Sequence, residues 1–249
     1  MINKKLNGFY GIICYLVSFF IVGMIVQLAV TYVFSAVTNH SFQEIVGTKD
    51  SIFVEGTTLY NAHYSSQAVS NLIIYLILFS SLVFIFRKEL VEDFKKLKSN
   101  AMKCVIAMIA FGAILYLSSY LISLIYNNFG IGESNNQELI VRMVKINPIV
   151  VFFSVVILAP VSEELIFRKS IYNVSNNKII YYVCSTFVFG LIHMTSTSTE
   201  NISNWFLMLI PYCLSGLVLS LAYERTDNIY VSIIAHAINN LVAYSLLFI

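Results

Sequence analysis

Charged residues are scarce in this sequence, and their scarcity excludes several classes of protein. Only 11% of the 249 residues are Asp, Glu, Lys or Arg, whereas 58% are hydrophobic, and the mean hydropathy is +0.80. Soluble domains carry about 25% charged residues. A disordered chain would be less hydrophobic, and a nucleic-acid-binding module would have a basic surplus, but here 15 basic residues face 13 acidic ones. We therefore predict an integral membrane protein with no nucleic-acid partner.

Several common site signatures are also missing. The four cysteines form no CxxC pair, so neither a disulfide framework nor a thiolate metal site is expected. The sequence has no glycine-rich phosphate loop, no HExxH motif and no repeat of fixed period. None of these signatures therefore predicts a cofactor.

Seven stretches are apolar over nearly the 20 or so residues that a helix needs to cross a bilayer. They predict an all-α, polytopic membrane protein with about seven (7–8) transmembrane helices. The first stretch is long enough to contain a break, and the fifth is short. An eighth helix could lie within the first stretch or between Leu139 and Ile146. The seven stretches are residues 9–37, 69–86, 102–126, 148–167, 179–193, 205–223 and 229–248.

The basic residues between these stretches predict how the chain is oriented. Cytoplasmic loops carry the excess of Lys and Arg, and one set of helix ends holds twelve basic residues against three on the other. The N-terminus is therefore predicted to be cytoplasmic, residues 38–67 an external loop, and residues 87–103 a basic cytoplasmic linker near anionic lipid. The three basic residues on the external side are Lys49, Arg142 and Lys145.

One group of charges lies inside a predicted span. Glu163 and Glu164 follow the apolar run of the fourth stretch, and Arg168 comes one turn later. A charged residue at the centre of a membrane helix costs about 2.5–3.5 kcal/mol on insertion scales, so it needs a partner or a function. Glu164 and Arg168 share one helix face, whereas Glu163 points to a neighbouring face. Pro160 removes a helix hydrogen bond just before them, and the expected kink would open space beside the carboxylates.

Two further spans carry polar groups at membrane depth. His193 ends the fifth stretch, and His236 and Asn240 lie one turn apart in the last. With Glu163 and Glu164 they could hydrolyse an amide, because a carboxylate and an imidazole can activate water while His236 and Asn240 donate hydrogen bonds to an oxyanion. Glu163, His193 and His236 could instead hold a divalent metal such as zinc, with water in the fourth position. The residue types leave both chemistries open.

The depth of His193 sets a condition for a shared site. At 1.5 Å per residue, His236 lies about 10 Å and Glu163 about 8–14 Å from the cytoplasmic helix ends, whereas His193 lies about 20 Å from the start of its own helix. The fifth helix must therefore start later than Ile179, tilt strongly, or form a partial span.

Three motifs follow one another on these elements: Glu163-Glu164-x-x-x-Arg168, Phe189-x-x-x-His193 and His236-x-x-x-Asn240. Their order and spacing resemble the signature of the CPBP family. These are CAAX-protease and bacteriocin-processing intramembrane endopeptidases, also called the Abi family. The resemblance covers residues 148–244, and the three N-terminal spans match only in being hydrophobic.

The resemblance implies a role for each residue of the motifs. Glu163 and His193 would activate water, and His236 and Asn240 would form the oxyanion hole. Glu164 completes the implied catalytic set. Arg168 would support it through an in-helix pair with Glu164, and Phe189 would pack against the site. The family has been classed both as metal-dependent and as a metal-free glutamate protease; the metal-free mechanism is favoured here, and a zinc ion bound by Glu163, His193 and His236 is the alternative.

We thus expect one integral membrane domain, with N-terminal helices and the basic linker in residues 1–147 and the catalytic core in residues 148–249. The expected function is hydrolysis of a peptide bond in a membrane-associated peptide, either a lipidated CAAX-type tail or a bacteriocin or signalling-peptide precursor. Membrane lipids and this peptide are the expected partners, and a bacterial plasma membrane is the expected location. The alternative is a non-catalytic peptide-binding immunity or scaffold protein of the same fold. A proton-relay transporter is disfavoured, because matching half-repeats are absent.

Overall fold

The computed structural model describes residues 3–47, 53–132, 134–197 and 201–248. Over these ranges the chain forms nine helices and no strand, which confirms the all-α prediction. The helices are α1 (Lys4–Thr38), α2 (Phe42–Val46), α3 (Thr58–Ser99), α4 (Ala101–Phe129), α5 (Asn135–Ile146), α6 (Pro148–Val174), α7 (Lys178–His193), α8 (Ile202–Thr226) and α9 (Ile229–Leu246).

Six of these helices (α1, α3, α4, α6, α8 and α9) are long and apolar enough to cross a membrane. Helix α7 is apolar but has only 16 residues, a length of about 24 Å against a hydrocarbon core of about 30 Å. Six long helices and one short one agree with the predicted seven spans, of which the fifth was expected to be short. The chain is a multi-pass membrane protein.

Two segments that the sequence predicts as loops are largely helical. Residues 38–67 contain α2 and the first turns of α3, because side chains satisfy the free N–H groups at both helix starts. Ser41 and Glu44 form a capping box on α2, and Thr57 accepts a hydrogen bond from the N–H of Tyr60 at the start of α3. Residues 87–103 continue α3 and restart as α4, with only Asn100 breaking the helix. Lys49 lies outside the described residues.

The additional helix considered between Leu139 and Ile146 is present as α5. Its first turn is capped by Ser134, whose side chain accepts a hydrogen bond from the N–H of Gln137. Met143 and Val144 of α5 are buried against the aromatic rings at the start of α3. Helix α5 thereby closes one end of the helix bundle.

Helix α6 lies at the centre of the bundle. Of its most apolar 18 residues 61% are buried, compared with at most 33% in the other five long helices. Its winding widens to π-helix over Phe152–Leu158 and again over Glu164–Ser170, on either side of Pro160. The disturbance expected at this proline therefore takes the form of two π segments, which are common at functional sites.

Candidate active site

Glu163 on α6 is the residue around which the site is arranged. Only 6% of its surface is exposed, and the Tyr75 hydroxyl on α3 donates a 2.7 Å hydrogen bond to its Oε1 atom. Its other oxygen, Oε2, lies 3.9 Å from Nε2 of His193 and 3.9 Å from Nε2 of His236. These separations are too long for direct hydrogen bonds, but one water molecule can bridge them. Helices α6, α7 and α9 thus converge on a single carboxylate oxygen.

His193 is the last residue of α7, and its ring is held on two sides. Its Nδ1 atom lies 2.8 Å from the carbonyl of Phe189, so Nδ1 carries the hydrogen, because a carbonyl only accepts. The ring also stacks on Tyr212 of α8, with centroids 4.9 Å apart. This tautomer directs the Nε2 lone pair at Glu163. Because α7 starts at Lys178, a later start of the fifth helix is not the distortion that brings His193 to the other groups.

His236 links Glu163 to a buried ion pair. Its Nδ1 atom lies 3.0 Å from Oε1 of Glu164, and the Nε of Arg168 lies 3.2 Å from Oε2 of the same carboxylate. Both members of the ion pair are fully buried. The Arg168 guanidinium also lies 4.6 Å from the centre of the Phe189 ring and donates to the carbonyl of Gly216 at 3.3 Å. Arg168 therefore pairs with Glu164 within one helix and packs against the Phe189 ring.

Asn240 is held by a carbonyl that Pro160 leaves free. In the π segment before Pro160, the N–H of Ala159 donates to the carbonyl of Ser154, five residues earlier. Pro160 is next in this register and has no N–H, so the carbonyl of Val155 loses its main-chain partner. Nδ2 of Asn240 donates to this carbonyl at 3.0 Å. The second hydrogen on Nδ2 can serve a ligand.

These groups face a cavity of about 700 Å³. It reaches the end of the bundle where α4 ends, α5 lies and α9 ends, and its wall consists mostly of Tyr, Ser, Asn and apolar side chains. Among the described lining residues Glu163 is the only carboxylate, and none is Lys or Arg. A partly polar cavity of this size, with a single carboxylate in its described wall, can accept a peptide segment.

The alternative metal set can be compared with zinc geometry. Zinc binds nitrogen and oxygen at about 2.0–2.2 Å, so tetrahedral ligand atoms lie about 3.4 Å apart. The Glu163 oxygen is 3.9 Å from each histidine nitrogen, and within the described ranges no group of three His, Cys, Asp or Glu side chains is arranged to hold a metal ion. The residue types suit zinc, and as placed the Glu163 oxygen stands about 0.5 Å farther from each histidine nitrogen than tetrahedral zinc ligands do.

The segment that carries these groups is similar to a known protein family. Residues 145–242 match the family described as Rce1-like type II CAAX prenyl endopeptidases. The predicted resemblance to the CAAX-protease family is confirmed. The match runs from the end of α5 into α9, and it includes all seven motif residues of the CAAX-protease signature.

Relatives of this chain occur in several bacteria. It is 34% identical over 111 residues to the membrane-embedded CAAX protease MroQ of Staphylococcus aureus, covering 43% of this chain and 42% of MroQ. It is 30% identical over 122 residues to YdiL of Bacillus subtilis, provisionally named a membrane peptidase, covering 47% and 46%. An uncharacterised Mycoplasma capricolum protein is 26% identical over 193 residues, covering 73% and 54%. The chain thus spans about half the length of the curated relatives it matches. No solved structure matches it.

Tyr75 is the site residue that sequence reasoning missed. It lies on α3, outside the segment that matches the CAAX-protease family. The sequence has 16 tyrosines, and a tyrosine within an apolar span is unremarkable because its ring is largely hydrophobic. The only available signal was its spacing of four residues from Asn71, another polar residue in the same span.

Proposed function

We propose that this chain is an intramembrane endopeptidase in which Glu163 activates water to hydrolyse a peptide bond of a membrane-associated peptide. The observation that carries the proposal is the convergence on Glu163 Oε2 of two imidazole Nε2 atoms, each at 3.9 Å, at the wall of the 700 Å³ cavity. The match to CAAX prenyl endopeptidases supports the same reaction class. The proposed substrates are lipidated CAAX-type tails or bacteriocin and signalling-peptide precursors.

In the first step, a water molecule donates one hydrogen bond to Glu163 and the other to Nε2 of neutral His193. Tyr75 holds the far oxygen of the carboxylate, so Oε2 is the atom that accepts the water proton. The water oxygen attacks the carbonyl carbon of the substrate as that proton moves to Glu163. Positioned general-base catalysis of this kind contributes about 10²–10⁴-fold in rate.

The negative charge then develops on the former carbonyl oxygen, and His236 and Asn240 are positioned to stabilise it. Because Nδ1 of His236 donates to Glu164, its Nε2 carries a hydrogen only when the ring is an imidazolium. In that form two carboxylates, Glu163 and Glu164, are balanced by two cations, Arg168 and His236, so the buried cluster is neutral. The free hydrogen of Asn240 supplies the second donor.

In the last step the intermediate collapses. The carbon–nitrogen bond breaks, and Glu163 returns the proton it took from water to the departing amine. The immediate products are a carboxylic acid, which keeps the second proton of the water, and an amine. Transfer of that proton to the amine gives the carboxylate and the ammonium group, and Glu163 is again ionised. The proposed mechanism uses no metal ion, and its groups all belong to this chain.

The test is cleavage of membrane-anchored peptides by the purified protein in lipid nanodiscs, with products identified by mass spectrometry. A library of N-palmitoylated peptides supplies candidate substrates. Wild type is expected to release products, and Glu163→Gln is expected to release none, because glutamine cannot accept the proton. Glu55→Gln is the matched control, since Glu55 is exposed, pairs with Lys145 and does not line the cavity.

Two outcomes would contradict the proposal. Equal cleavage by wild type and Glu163→Gln would remove Glu163 from the reaction. Binding of the peptides by wild type without any product would instead support the non-catalytic peptide-binding protein.

A further inference from the structure

Helix α3 carries a row of polar side chains that leads to Glu163. Gln67, Asn71 and Tyr75 follow one another at intervals of four residues and therefore share one face of the helix. The side-chain amides of Gln67 and Asn71, together with Gln27 of α1, line a chamber of about 180 Å³. Gln27 and Asn71 lie within apolar stretches predicted to be in the membrane, and Gln67 borders one, where polar side chains need a partner or a function.

The two amides of this row on α3 have unused hydrogen-bonding groups. Over the described ranges, the side chains of Gln67 and Asn71 make no hydrogen bond, whereas Gln27 donates one to Thr31 at 3.2 Å. Each unpaired carboxamide offers two N–H donors and one oxygen acceptor. Because all of these groups line the chamber, they are placed to bind whatever occupies it.

The chamber adjoins the cavity that holds the proposed reacting groups. The two share six lining residues, among them Asn71 and Tyr75, and Tyr75 is hydrogen-bonded to Glu163. All of the described residues that line the chamber are neutral, and several are aromatic or aliphatic. Its chemistry therefore suits an uncharged ligand that combines hydrogen-bonding groups with apolar side chains.

A carboxamide has the same donor and acceptor groups as a peptide unit, so a row of carboxamides can hydrogen-bond to an extended main chain. The row from Gln67 to Tyr75 rises about 12 Å along the helix, which equals three to four residues of extended peptide at about 3.3 Å each. We propose that Gln27, Gln67 and Asn71 form a subsite that binds the substrate main chain on one side of the scissile bond. This inference rests on the proposed peptidase function.

The experiment measures binding rather than cleavage, using Glu163→Gln protein in nanodiscs as the non-hydrolysing parent. The probe is a fluorescent N-palmitoylated octapeptide of Ala, Ser and Leu, with analogues in which one peptide N–H at a time is replaced by an ester oxygen. Gln67→Leu and Asn71→Leu are each expected to weaken peptide binding by about 3- to 10-fold, the range for one lost hydrogen bond. An ester analogue that lacks the N–H bound by one of these amides should bind weakly to the parent. The variant that lacks the same amide should bind this analogue no more weakly than the parent does.

Control variants at two positions separate recognition from misfolding. Asn61→Leu changes an exposed amide on the same helix and is expected to bind the probe like the parent. Gly23 lines the chamber, and a Cβ there meets no atom closer than 3.4 Å. Gly23→Ala should therefore bind normally, whereas Gly23→Leu should fill the chamber and weaken binding.

Unchanged binding by Gln67→Leu and Asn71→Leu would overturn the subsite, as would failure of the parent to bind any peptide of the series. An equal loss of affinity for a palmitoyl probe without peptide would show that the chamber holds an acyl chain instead. These outcomes are independent of the proposed reaction. If wild type binds peptides through the row but does not cleave them, the reaction fails and the subsite stands.

Discussion

The hydrogen bond from Tyr75 to Glu163 offers a sharp test of the site, because it can be removed without changing the shape of the cavity wall. Tyr75→Phe deletes one oxygen atom and keeps the ring that packs against the central hydrophobic cluster. Glu163 Oε1 then loses the donor that lies 2.7 Å away. The carboxylate keeps its charge but is free to rotate, so Oε2 no longer faces the two histidines in a fixed position.

The size of the effect follows from the strength of this bond. A hydrogen bond to a charged group contributes about 1.5–3 kcal/mol, and each 1.36 kcal/mol corresponds to about tenfold in rate. We therefore expect kcat/KM to fall by about 10- to 150-fold. The loss should be smaller than that of Glu163→Gln, because the general base remains.

The assay is cleavage of the best library peptide in nanodiscs, with thermal unfolding measured in parallel. Tyr32→Phe is the matched control: Tyr32 is exposed on α1 and lines neither the cavity nor the chamber. This control should retain full activity. Wild-type activity in Tyr75→Phe, or an equal loss in both variants, would refute the positioning role.

Three further predictions concern the remaining groups. Asn240→Ala should lower kcat by about 10²–10³-fold, the usual loss for an oxyanion donor, whereas Asn61→Ala, at an exposed amide of α3, should keep full activity in the same assay. Arg168→Met should destabilise the fold by about 3–5 kcal/mol in detergent unfolding, because it leaves a buried carboxylate without its cation; Arg225→Met, at an exposed side chain, should have little effect. Chelation with 1,10-phenanthroline should leave cleavage by wild type unchanged, and metal-dependent recovery after an observed loss would favour the zinc alternative.

The membrane spans and the residues of the three motifs could be predicted because each produces a strong local signal. Hydrophobic length identifies a span through the thickness of the bilayer, and charged or imidazole groups inside a span stand out against it. The same reasoning could not predict the helices in residues 38–67 and 87–103, which lie between the predicted spans. Hydropathy reports contact with lipid and not helicity, and both α3 and α4 extend beyond the apolar residues that identify them.

The contribution of α3 could not be predicted for a different reason. Tyr75 and Asn71 are separated from Glu163 by about 90 residues of sequence. A local sequence pattern cannot predict which faces of two helices so far apart in the chain will pack together. The same two helices, α3 and α6, also meet at a buried ion pair, in which Lys169 on α6 lies 2.5 Å from Asp93 on α3. Asp93 and Glu89 are nearly fully buried, although both belong to the segment predicted as a linker. The site therefore draws on both predicted parts of the chain.

The two adjacent carboxylates show how a single helix can give one residue type two roles. Successive side chains on α6 point about 100° apart, so Glu163 and Glu164 meet different surroundings. Glu164 is fully buried between Arg168 and His236, and its charge is already neutralised. Glu163 faces the cavity and has only a tyrosine hydroxyl in direct hydrogen-bond contact. Because a general base must exchange its proton with a ligand, the residue without a fixed cation is the one suited to the reaction, and its neighbour is suited to holding His236 in place.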